Sequence, residues 1–135
     1  MAFDYQNLKE MSAVTTAGTT HSMYANPSGT TSYIRQIWLH VGHLGLTNFS
    51  NTTVTIHSVP DSATNLGKAM NPTTQFFQRS LVTGETYILD CGVPGIIFGD
   101  QNDTLQMFHT NSVNGPASSG GGTTLQYMVM GGIET

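Results

Sequence analysis

Four basic side chains, Lys9, Arg35, Lys68 and Arg79, are scattered over 135 residues of formal charge −4. No basic stripe exists to neutralise phosphates, which argues against nucleic-acid binding. Charged residues make up 9% of the chain, against about 25% in an average soluble protein, and Thr, Ser, Asn, Gln and Gly supply the polarity instead, a surface suited to lying against other protein.

The length fits one domain. One cysteine, Cys91, excludes an intrachain disulfide and fits assembly in a cytosol. No apolar run approaches the ~18 residues of a membrane-spanning helix, so no membrane partner is expected. The segment Met1-Ala2-Phe3-Asp4-Tyr5 has neither the basic nor the apolar region of a signal peptide.

Residues 1–19 contain the one helix candidate, 5–11, where Leu8 and Met11 stand at i, i+3. A helix that short is marginal alone. Residues 12–20 are, Val14 apart, Ser, Ala, Thr and Gly with little to bury. Residues 1–19 therefore read as an N-terminal arm, ordered against a neighbour or packed along the edge of a domain spanning 20–135.

From residue 20 the pattern is strand and turn: 20–25, then the turn Asn26-Pro27-Ser28-Gly29, then 31–41 with Tyr33, Ile34, Ile37, Trp38, Leu39 and Val41. A Gly- and Asn-bearing loop leads to 52–59, where Val54 and Ile56 alternate with Thr53, Thr55 and His57. After a polar connection come 73–82 with Phe76, Phe77 and Leu81, the turn Thr83-Gly84-Glu85, and 86–90 with Tyr87 and Leu89 on one face. Gly92, Pro94 and Gly95 bend the chain before 96–98. The turn 99–103 leads to 104–110, with Leu105 and Met107 on one face and Phe108 on the other. A Ser/Gly tip precedes 123–130, where Leu125, Tyr127 and Val129 alternate with Gln126, Met128 and Met130.

Turn signals every 8–12 residues or so, without intervening helices, predict an all-β fold: an antiparallel β-sandwich or jelly roll of about seven or eight strands with an N-terminal arm. Strand 31–41 is apolar on both faces. Strict alternation sends Ile34 and Trp38 one way and Ile37, Leu39 and Val41 the other. A two-layer sandwich buries one face of each sheet, so the second face must meet the arm, a long loop or another subunit.

Chemistry is hard to place on this pattern. His40 and His43 are three apart where a strand runs into a Gly-bearing loop, and His57 and His109 sit on separate strands. Zinc needs three or four convergent ligands, so no metal and no cofactor is expected. Asp100, Asn102 and Asp103 share one turn but lack the spacing of a calcium loop, and a tight turn prefers the same residues. Gly-x-Ser-x-Gly is absent, and Cys91 has no helix to lower its pKa. Gly120-Gly121-Gly122 lacks the Lys of a phosphate loop. No catalytic residues are assigned, and an enzyme is not expected.

Three segments carry a resemblance: Thr31-Ser32-Tyr33-Ile34-Arg35-Gln36-Ile37-Trp38-Leu39-His40, Thr53-Val54-Thr55-Ile56-His57-Ser58-Val59-Pro60, and Leu81-Val82-Thr83-Gly84-Glu85-Thr86-Tyr87-Ile88-Leu89-Asp90. Their strand-and-turn pattern resembles that of the small β-sandwich virion proteins of tailed bacteriophages, over roughly residues 20–132. The chain departs from that pattern at Ala25-Asn26-Pro27-Ser28-Gly29 and in a longer 42–51 loop.

The resemblance implies a structural protein of the virion, within which a capsid decoration (cement) protein is the first expectation. Such a protein is made in the host cytoplasm and binds the major capsid protein across capsomer junctions as a homodimer or homotrimer. The arm residues Phe3, Tyr5, Leu8 and Met11 and the face of Ile37, Leu39 and Val41 are the expected partner-binding set. A tail or fibre-tip module that binds a receptor or glycan is the alternative.

Overall fold

The computed structural model describes residues 3–14, 20–43, 52–60, 74–82, 84–109 and 123–135, with the side chains of 3–5, 13–14, 42–43 and 123–124 outside that description. Its strands are β1 (Phe3–Val14), β2 (His21–Ala25), β3 (Thr31–His43), β4 (Thr52–Val59), β5 (Gln75–Leu81), β6 (Thr86–Asp90), β7 (Ile96–Phe98), β8 (Thr104–His109) and β9 (Thr123–Glu134). The described residues contain no helix.

Two antiparallel sheets pack together as a jelly-roll-like β-sandwich. Sheet A runs β1-β9-β3-β6, with β7 also on β3, and sheet B runs β2-β8-β4-β5. The chain changes sheet at every connection except β4 to β5 and β6 to β7. The expected all-β sandwich is present, and where about seven or eight strands were expected the described residues hold nine.

That ninth strand is β1, where an arm with a helical turn was expected. Phe3 to Val14 pair along β9, from Phe3 opposite Glu134 to Val14 opposite Leu125. The register slips between Asn7 and Lys9 and again between Lys9 and Ser12. Each slip breaks period-two alternation, which leaves Leu8 and Met11 at a spacing that imitates a helix. The segment lies along the domain's own edge.

The core lies between the sheets. From sheet A come Ile34, Ile37, Leu39 and Val41 of β3, Leu125, Tyr127 and Val129 of β9, and Phe98 of β7. Facing them are Met23, Val54, Ile56, Leu81, Leu105 and Met107. Full burial of such a side chain contributes roughly 1.5–3 kcal/mol.

Ile34 and Ile37 both point inward although three residues apart, and a β-bulge is the reason. Ile34 pairs with Gly131 and Gln36 with Met130, so Arg35 is an extra residue on β3. The bulge reverses the alternation expected from the sequence: Ile34 joins Ile37, Leu39 and Val41 in the core, and Trp38 is left on the opposite face. β6 and β7 pair with successive stretches of β3, Gln36–His40 and Ser32–Ile34, and the break between them falls opposite Arg35. The Arg35 carbonyl there accepts the Cys91 amide at 2.8 Å.

Two glycines clear space for this bulge. A Cβ on Gly131 would stand 1.8 Å from the Tyr33 carbonyl oxygen, and one on Gly95 would stand 2.1 Å from that of Ile34. Thr83 lies outside the described residues, but its expected turn partner Gly84 has φ +87, and the Glu85 amide donates to the Val82 carbonyl at 3.0 Å.

At the end of the sandwich where β2 passes to β3, Asn26 joins two turns. It is 1% exposed. Its Nδ2 donates to the Thr30 and Asp100 carbonyls, each at 2.9 Å. Its Oδ1 accepts from the Ser32 and Thr30 hydroxyls. Its amide donates to the Asp103 carbonyl, and its carbonyl accepts the Asn102 amide. One side chain thus fixes the 26–30 turn to the 99–103 turn.

Candidate functional site: the outer face of sheet A

The bulge at Arg35 decides what the outer face of sheet A presents. Cross-strand partners on one face of a sheet touch directly. Trp38 is opposite Ile88 on β6 and Met128 on β9, so Ile88, Trp38 and Met128 form one row across three strands. The neighbouring row holds Asp90, Gln36 and Met130, with Asn7 next on β1. Tyr33 is opposite Ile97 on β7. On the other side of the apolar row stand Thr86, His40 and Gln126.

Several of these apolar groups are well exposed. Ile88 is 44% exposed, Ile97 52%, and Val93, in the β6–β7 break, 80%. Met11 is 50% exposed, at the β1 slip between Lys9, opposite Val129, and Ser12, opposite Tyr127. Trp38, Met128 and Met130 are half-buried.

Neighbours on the same face already occupy many of the polar atoms. Trp38 Nε1 donates to Gln36 Oε1 at 3.2 Å. The Tyr33 hydroxyl donates to Glu134 Oε1 at 3.2 Å; burial first, then the Glu134 charge and this bond, raise the Tyr33 pKa above its ordinary value. His40 Nδ1 lies 2.7 Å from the Thr86 hydroxyl.

The outer face of sheet B differs. Between the core residues of β4 and β8 it carries Thr53 and Thr55, with Gln78 and Ser80 from β5, and Phe76 and Phe108 as apolar members; Gln106 there is 4% exposed.

The expected partner-binding residues are redistributed. Ile37, Leu39 and Val41 are 0% exposed in the core and offer nothing to a partner. Leu8 is half-buried against the core, and Met11 is exposed. The side chains of Phe3 and Tyr5 lie outside the described residues. Sequence reasoning found the two-sided apolar character of β3 but missed Trp38, Ile88, Met128 and Ile97 as its outer side.

Among the described residues no group of three or more His, Cys, Asp and Glu converges as metal ligands would. His57 Nδ1 lies 2.8 Å from the Thr74 hydroxyl and His109 Nδ1 3.5 Å from that of Thr52. In the 99–103 turn Asp103 Oδ2 accepts the Asp100 amide at 3.0 Å and Asn102 takes φ 69, so these residues shape the turn. The His43 side chain and the glycines at 120–122 lie outside the described residues.

Cys91 is half-buried, and burial first, then the Asp90 charge, push its thiol up to about 11. Thiolate is the reactive species. At pH 8 iodoacetamide is expected to alkylate Cys91 about a hundredfold more slowly in the folded protein than in urea. Equal rates, followed by mass spectrometry, would contradict this environment.

Comparison with protein-family models, with curated proteins and with solved structures found no match.

Proposed function

We propose that this chain is a structural virion protein. In this reading it is a capsid decoration (cement) protein that lays the outer face of sheet A against the major capsid protein at capsomer junctions of a bacteriophage head. Copies would assemble as homodimers or homotrimers on the capsid surface after synthesis in the host cytoplasm.

The observation that carries this reading is the apolar row Ile88–Trp38–Met128 across three strands of the outer face of sheet A. Aromatic residues and Met are enriched, and Lys and acids depleted, at the centres of protein interfaces. The low overall charge and the strand-and-turn resemblance to phage virion proteins point the same way. The mechanism is mechanical. Apolar area removed from water contributes about 25 cal/mol per Å² before the costs of association. A ligand that binds the assembled lattice but not its free subunits stabilises the lattice by mass action.

The test uses parent particles stripped of this protein and re-bound with purified chain. Trp38→Glu and Ile88→Asp are each expected to weaken binding about thirtyfold, the loss of an interface hot spot of about 2 kcal/mol, while circular dichroism stays native. Wild-type occupancy by both variants would overturn the reading.

One observation favours a second reading, a receptor- or glycan-binding module of a tail or fibre tip. The half-buried ring of Trp38 lies between rows bearing Gln36 and Asp90 on one side and His40 and Gln126 on the other, and an aromatic platform flanked by hydrogen-bonding groups suits a sugar. Glycan-array binding by the free domain, lost in Trp38→Ala, would favour it.

A further inference from the structure

The two long sides of the sandwich are closed by different chemistry. Between β5 and β6, Phe77 packs on Tyr87 with ring centroids 5.6 Å apart, and the Arg79 guanidinium lies 4.4 Å from the Tyr87 ring centroid. Between β1 and β2 the closure is polar. His21 Nε2 of β2 lies 2.9 Å from the Tyr127 hydroxyl of β9, across the gap between the sheets. The two rings meet edge-on, 5.4 Å apart. Ser12 of β1, whose hydroxyl donates to the Glu10 carbonyl at 3.0 Å, stands near the same Tyr127 hydroxyl. One imidazole on the edge strand of sheet B thus reaches sheet A through a phenol of β9 that is 1% exposed. β1 and β2 are both edge strands, each paired along one side only.

We propose that the His21–Tyr127 contact is an acid-sensitive latch, which holds β1 and β2 closed over this side of the core at neutral pH and releases them when His21 takes up a proton.

The surroundings of the ring support this. β1 contributes Lys9 and Ser12, and β9 contributes Tyr127, whose own pKa burial raises. β8 places Met107 opposite His21; His109 follows two residues on, buried, with Nδ1 toward Thr52 of β4. Among the described residues these neighbours include no carboxylate, so an imidazolium would face the Lys9 ammonium. Burial first, and Lys9 second, hold His21 below the ordinary value of 6.5. The sign of the linkage follows. With the folded pKa below the unfolded one, the unfolded chain binds more protons in the interval between them. The contribution of neutral His21 is therefore complete above 6.5 and is lost as pH falls through that value toward the folded pKa.

Hydrogen exchange read by mass spectrometry at pH 7.5 and 5.0, corrected for intrinsic rates, tests the latch in the full chain. Acidification is expected to lower protection severalfold in β1 and β2 and to spare β4. In His21→Gln, which keeps a polar side chain but does not titrate, this selective loss is expected to vanish. Equal protection of β1 and β2 at both pH values, or an undiminished loss in His21→Gln, would overturn the proposal. Should His21→Gln not fold, the NMR titration of His21 in the wild type decides. A midpoint below that of the urea-unfolded chain is expected, and one at or above it would overturn the latch.

Discussion

Replacing Gly131 by Ala is expected to cost more than about 3 kcal/mol, beyond the usual penalty for overpacking. The added Cβ would stand 1.8 Å from the Tyr33 carbonyl oxygen and 3.1 Å from Leu8 Cδ1. Leu8 has rotamers to spare, but Tyr33 is backbone and is held in the ladder between β7 and β9. Relief requires β9 to move off β3 just where the Arg35 bulge sets the inward face of every residue that follows. Thermal unfolding should show a fall in Tm of about 10 °C or more for a domain this size, or no folded protein at all. Gly99→Ala is the control, because nothing stands within 4 Å of its Cβ, and it is expected to stay near wild type. A wild-type Tm for Gly131→Ala would mean that the bulge is not built as described.

The second large effect is expected at Asn26. Asn26→Ala removes both donors and the acceptor of a side chain that is 1% exposed. The Thr30 and Asp100 carbonyls and the Ser32 hydroxyl each lose a partner. A buried polar group left unsatisfied costs about 1–3 kcal/mol, and networks of this kind fail together. A loss of about 3 kcal/mol in urea unfolding is expected. Ser32→Ala should cost less, because the Tyr24 hydroxyl, 2.8 Å from Ser32 Oγ, sits on a partly solvated residue that can turn to water. The double variant should show coupling of about 1 kcal/mol, since the two residues share one network. An Asn26→Ala protein as stable as wild type would refute the pin.

These two positions also mark the limits of reading the sequence. The strands from β2 onward were legible to within a few residues because alternation is strict there: Val54 and Ile56, Leu105 and Met107, and Leu125, Tyr127 and Val129 each keep period two. β1 was not legible because two register slips destroy that period. β3 was legible as a strand, but its faces were not. A bulge adds one residue and leaves no local mark, so Ile34 read as lying opposite Ile37, Leu39 and Val41 when all four are inward. The outer row of Ile88, Trp38 and Met128 draws on residues far apart in sequence, and register alone assembles it. Asn26 looked like the start of an ordinary turn. The partner that gives it weight, the Asp100 carbonyl, lies 74 residues away, and no local pattern encodes such a distance.

The pairing of β1 with β9 has a geometric corollary for anything joined to this domain. Phe3 lies opposite Glu134, so both ends of the described chain leave the sandwich at the same corner, about the width of a strand pair apart. A peptide fused before the first strand and another fused after the last would emerge side by side, like two leads from one socket. The long faces of the sandwich would stay clear of both. Cutting away the first fourteen residues would also strip the backbone partners from one whole side of β9 and turn an interior strand into an open edge.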